Sequence, residues 1–123
     1  MGTAQKVWDN TYDGMCCERQ ESTPDGLTIV AGSNLRNFWY VIDARTGDLK
    51  GKIPAAATDA HNMALSADGK TVLMAPNGVT VTVVDVPSLM AIRTITFSFH
   101  VRPLVINHDS TLVYANLNNL LGF

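Results

Sequence analysis

Cysteine is nearly missing from this 123-residue chain: there are two, side by side at 16 and 17. A disulfide-stapled scaffold needs several spaced pairs, so whatever fold forms must rest on packing. Adjacent Cα atoms lie only about 3.8 Å apart, below the usual disulfide range, so two ordinary thiols are the simpler reading and a vicinal bridge the strained one. Charge is scarce too. Nine Lys and Arg face eleven Asp and Glu, for a net charge of −2. That sign and size exclude an electrostatic nucleic-acid binder. No run of about 18 apolar residues exists to make a transmembrane helix, and Met1 to Asp13 lack the apolar core of a secretion signal. Disorder needs low hydrophobicity with high net charge, and a 46% hydrophobic content excludes it. No stretch keeps a helical period over about ten residues. There is no Gly-rich phosphate loop and no Ser-centred elbow. No motif calls for a cofactor.

What the chain does contain is a repeat, the first thing to seek because it decides the architecture. Thr23-Pro24-Asp25-Gly26-Leu27-Thr28-Ile29-Val30 matches Ser66-Ala67-Asp68-Gly69-Lys70-Thr71-Val72-Leu73. Both match Asn107-His108-Asp109-Ser110-Thr111-Leu112-Val113-Tyr114. The Asp-to-Asp steps are 43 and 41 residues, and the shorter one reads as Gly-Lys replaced by the single Ser110. A second series agrees. Tyr40-Val41-Ile42-Asp43 matches Thr82-Val83-Val84-Asp85, and Ile53 matches Ile95, each at a step of 42.

Within a period the local signals are strands. Val79-Thr80-Val81-Thr82-Val83-Val84 is β-branched throughout, which suits a pleated surface and penalises a helix. Its alternate residues divide between two faces. Asp-Gly at 25–26 and 68–69 predicts tight turns, and Thr46-Gly47-Asp48 and Val86-Pro87-Ser88 predict the next ones. The middle period divides into strands near 61–66, 71–75, 79–86 and 90–96. Short connections pair such neighbours antiparallel as a meander. Four strands per 40–45 residues is a propeller blade. A blade must stack on others to bury both faces, which explains apolar residues on each. The expectation is an all-β propeller of two to three four-stranded blades, divided near 16–58, 59–98 and 99–123. In the first blade the innermost strand falls on Cys-Cys-Glu-Arg-Gln-Glu-Ser (16–22), a poor strand sequence.

The runs His61-Asn62-Met63-Ala64-Leu65-Ser66-Ala67-Asp68-Gly69-Lys70-Thr71-Val72-Leu73-Met74-Ala75, Thr82 to Val86 and Ile92 to Ile95 together resemble the YVTN-type β-propeller repeat. The resemblance covers about residues 22–117. It departs at Val72-Leu73-Met74-Ala75-Pro76, where the family reads Val-Tyr-Val-Ala-Asn, and at His108, where it has Pro. The resemblance implies a seven-bladed ring of the lactonase-like or quinoprotein amine dehydrogenase-like kind, and a periplasmic or extracellular setting is common among such propellers. It leaves three functions open: a scaffold that binds a protein or small ligand, part of a hydrolase or of a quinoprotein or copper oxidoreductase, or a structural repeat protein of the cell envelope.

Innermost strands line a propeller's channel, and their ends carry the usual binding face. Here they begin at His61-Asn62-Met63 and Arg102-Pro103-Leu104, with His61 and Arg102 repeat-equivalent. Arg and a protonated His donate to anionic oxygens, so His61, Asn62 and Arg102 make a candidate ligand pocket. Equally, each can bond the backbone of the next blade. His61, His100 and His108 show no metal-ligand spacing. An Asp59/His61 dyad lacks a nucleophile. Asp25, Asp68 and Asp109, like Asp43 and Asp85, recur in every period, which suits turn chemistry and not a unique active site. Trp8, Phe38, Trp39 and Tyr40 are expected to pack between blades. No catalytic residue is assigned.

Length closes the reading. At a period of about 42, the chain holds just under three blades, whereas rings close with about four to eight. It therefore reads as an arc of a larger ring, or as a piece that self-associates to close one.

Overall fold

The computed structural model describes residues 2–13, 15–60 and 62–117, and for Met15–Glu18 the backbone alone. Every regular element among them is a strand. The first sheet runs in chain order through β1 (Met15–Ser22), β2 (Thr28–Asn34), β3 (Phe38–Asp43) and β4 (Leu49–Pro54). The second runs through β5 (Asn62–Leu65), β6 (Thr71–Ala75), β7 (Thr80–Asp85) and β8 (Met90–Thr96). β9 (Val101–Ile106) and β10 (Val113–Leu117) pair as a third sheet. All neighbours are antiparallel.

Alternation along each strand feeds two seams. Val30, Trp39, Val41 and Ile53 of the first sheet meet Met63, Val72, Met74 and Val84 of the second. Ala64, Leu73, Ala75 and Val81, on the other face of the second sheet, meet Val101 and Leu104 of the third. A large apolar side chain taken fully out of water contributes about 1.5–3 kcal/mol. Trp39, Ile53, Met63 and Met74 are all fully buried in the first seam, so that seam is the stronger. On the far side of the third sheet Val105, Leu112 and Tyr114 stay exposed.

The innermost strands β1, β5 and β9 lie side by side. The turns that follow them gather at one rim. A Cβ at Gly69 would stand 2.5 Å from Pro24 Cδ, and Ala67 N donates to Ser110 Oγ at 3.0 Å. The segments that precede β5 and β9 are tied at the opposite rim, where Ala60 N donates to Ser33 O (3.2 Å) and Val101 N to Gly78 O (3.1 Å). The inner strands thus run in one direction around a common axis. The architecture is an arc of a β-propeller: two four-stranded blades and a two-stranded part of a third.

Three details differ from expectation. First, the polar stretch at 16–22 does form a strand. Its ladder to β2 (Ser22 opposite Ile29, Glu21 opposite Val30, Gln20 opposite Ala31) overrides weak propensity, while Arg19, Gln20 and Ser22 stay in solvent. The pairing shifts register between Cys16 and Gln20. Second, the residue lost in the 41-residue step is not in the turn. Thr28 N and Thr71 N donate to the side chains of Thr23 and Ser66, and Leu112 N donates likewise to Asn107 Oδ1. Leu112 therefore holds the place of Thr71, and Ser110 replaces Gly69 one for one. The deletion falls in the β8–β9 connection. Such a one-residue slip sends each side chain to the other face, so Ala115 and Leu117 turn towards the second sheet and Tyr114 away from it. Third, only Trp39 of the four aromatics lies between blades. Trp8, Phe38 and Tyr40 pack on the outer face of the first sheet, because residues 2–13 cross over it.

Candidate functional site

At the rim below β1, β5 and β9, one bond pattern recurs three times. Asp25 Oδ1 accepts from Thr23 Oγ1 (2.6 Å) and Leu27 N (3.0 Å). Asp68 Oδ1 accepts from Ser66 Oγ (2.7 Å) and Lys70 N (3.0 Å). Asp109 Oδ1 accepts from Asn107 Nδ2 and Thr111 Oγ1 (each 2.6 Å) and from Thr111 N (3.1 Å). The residue after each Asp has positive φ: 69° at Gly26, 71° at Gly69 and 59° at Ser110. These bonds favour the ionised form and hold all three carboxyls below the usual range, led by the hydroxyls of Thr23, Ser66 and Thr111 respectively. The β3–β4 and β7–β8 turns repeat the idea. Asp43 accepts from Arg45 N and Asp85 from the Ser88 hydroxyl and N, and both carboxyls are lowered. The recurrent aspartates serve turns.

The opposite rim is different. Asn62 opens β5 and is half-buried, and its Nδ2 is buried without a hydrogen-bond partner. Arg102 is the second residue of β9, half-buried, and the bond to Pro103 is cis. The topology brings both to the same end of neighbouring inner strands. His61 lies outside the described residues. Asp59, at φ 60°, accepts from Leu35 N at 3.3 Å, which ties the β2–β3 loop to the linker before β5. His100 and His108 are exposed, His108 in the β9–β10 turn.

Two further unpartnered atoms sit towards this rim: Trp39 Nε1, fully buried in the first seam, and Asn34 Oδ1 at the end of β2. Sequence reasoning gave Trp39 a packing role between blades and did not single out Asn34. The available signal was Gly32, a glycine inside a strand, which marks a close backbone approach. A Cβ there would stand 1.8 Å from Ala60 O and 3.6 Å from Trp39 Nε1. The rim therefore combines buried donors from Trp39 and Asn62, an acceptor from Asn34 and the guanidinium of Arg102.

No family model matches the chain, and no curated protein matches its sequence. Solved structures do match. The Cps50 (Swd1) β-propeller domain of Myceliophteria thermophila superposes with a TM-score of 0.75 at 19% identity, over 89% of this chain and 35% of that one. Kuenenia stuttgartiensis hydrazine synthase superposes with a TM-score of 0.72 at 19% identity, over 91% of this chain and 33% of that one. The chain spans about a third of the length of each. At this identity the likeness is one of fold, and matches extend to 442 solved chains, too broad a set to single out an activity.

Proposed function

We propose that the chain is an arc of a YVTN-type propeller serving as a binding scaffold, with the rim at the start of β5 and β9 as its ligand face. The observation that carries this is the contrast between spent and unspent polar groups. The five repeated aspartates accept bonds within their own turns, whereas Asn62 Nδ2 is buried beside the inner edge with nothing to donate to. An unmet buried donor is costly, and a ligand acceptor relieves that cost. Arg102 adds a fixed fork suited to a carboxylate. The ligand class is a carboxylate, free or at the end or side chain of a partner protein.

The test is an NMR titration of the labelled chain with citrate. The expected result is movement of backbone signals around Asn62 and Arg102 together. Arg102→Ala is expected to weaken binding by about tenfold, the loss of one charge-assisted contact. A drop in thermal stability on Arg102→Ala, with no citrate-induced shifts in the parent chain, assigns the residue to packing.

A further inference from the structure

Residues 2–13 form neither helix nor strand, and among the described residues no backbone hydrogen bond ties them to the sheet. Side chains hold them instead, at every second position. Trp8 Nε1 donates to Ala44 O at 2.9 Å. Asn10 Nδ2 and Tyr12 Oη both donate to Gly47 O, at 2.8 and 2.7 Å. A spacing of two puts these residues on one side of an extended chain, and Val7, Asp9 and Thr11 are left in solvent on the other. Burial, with Asp48 adding to it, pushes the Tyr12 phenol up, so it stays a neutral donor.

The seat is shaped for this segment. A Cβ at Gly47 would lie 2.6 Å from the Trp8 ring, so only glycine leaves room for the indole. Below lies an apolar base of Ala31, Tyr40 and Ile42, with Ile29 beside it. The Tyr12 and Tyr40 rings stand 5.3 Å apart, and Tyr40 Oη donates to Asp13 O at 2.6 Å. Lys52 Nζ closes the end on the Asp13 carboxylate at 2.8 Å. Between the segment and β1 a cavity of about 420 Å³ remains, reaching Gln20, Glu21 and Ser22. The face itself is one built to be covered. In the second sheet the equivalent residues, Val72 and Val84, are sealed against the neighbouring blade. Here a segment held by side chains alone does that work.

We propose that the outer face of the first sheet is a docking seat for an extended peptide of the pattern aromatic-x-amide-x-aromatic, and that residues 2–13 are its exchangeable resident. The carbonyls of Ala44 and Gly47 read donors at alternate positions, the apolar base takes the rings, and Lys52 takes a following carboxylate. A resident held in the same chain competes at an effective concentration on the order of millimolar. An outside peptide is therefore admitted when the resident is weakened or the peptide is abundant.

The probe is a synthetic peptide with the sequence of Gly2–Asp13. Its fluorescently labelled form is expected to bind the full-length Trp8→Ala/Tyr12→Ala chain at least tenfold more tightly than the parent chain. Equal binding to the two chains overturns the proposal, as does no binding at millimolar peptide to a variant whose circular dichroism is native. A peptide with alanine at both aromatic positions is expected not to bind, and equal binding by it also overturns the pattern. The parent chain gives an independent reading if the variant fails to fold. Of its two indole N–H signals, that of Trp8 is expected to shift under excess unlabelled peptide while that of Trp39 stays. A Trp8 signal unmoved at millimolar excess refutes exchange.

Discussion

Below β1, β5 and β9 an aspartate in each repeat accepts the same bonds from its own turn, and the turns touch through Pro24 on Gly69 and Ala67 on Ser110. At the other end of the same strands, Asn34, Trp39 and Asn62 bury polar atoms with no partner. The lower rim repeats and the upper rim does not. Repetition marks the groups that make a blade a blade, because every blade needs the same turn. The upper rim breaks the pattern at the positions of the proposed site: Asn62 stands where the next repeat has Pro103, and Arg102 where the previous one has His61.

The contrast can be broken hardest at Gly32. A side chain there meets the backbone oxygen of Ala60, which no rotamer change relieves. Gly32→Ala should open the first seam at the upper rim and cost on the order of 3 kcal/mol in denaturant unfolding. A cost under about 1 kcal/mol would show that the blades separate freely there.

Acid tests the lower rim next. The carboxyls of Asp25, Asp43, Asp68, Asp85 and Asp109 are all lowered in the folded chain. Their contribution is thus fully present above the unfolded carboxylate value, about 3.9, and is lost as pH falls below it through the folded values. The thermal midpoint should hold steady down to about pH 5 and then fall. A midpoint flat to pH 3 would mean the turns do not depend on ionised aspartate.

The smallest effect belongs to the upper rim. Asn62→Ala removes a donor that has no partner, so it should leave stability unchanged or slightly raised while altering citrate binding. A loss of stability would put Asn62 among the structural residues and erase the difference between the rims.

The blades could be read from the chain because their cues are local. An Asx turn spans a few residues, and a β-branched run such as 79–84 announces its own faces. The step from Asp68 to Asp109 was legible, but not where its residue was lost. Thr111 mimics Thr71 in sequence, and only the bond from Leu112 N to Asn107 fixes the register. β1 was hard to see because a neighbour's ladder holds its polar residues extended. The unpartnered groups of the upper rim depend on how one blade covers another, as do the contacts of Trp8 and Tyr12, made to residues 36 and 35 positions away. Asn62 and Arg102 were nameable from their repeat positions alone. Trp39 and Asn34 needed the seam.

Ser110 shows what averaging such repeats would discard. A consensus drawn from Gly26 and Gly69 writes glycine at 110, where φ of 59° favours it. The turn would relax. Yet the serine hydroxyl takes the amide of Ala67 from the preceding blade at 3.0 Å, and glycine has nothing to offer it. The seam beside it is the weaker of the two, so an idealised sequence would gain ease in one loop and lose a rivet at that seam.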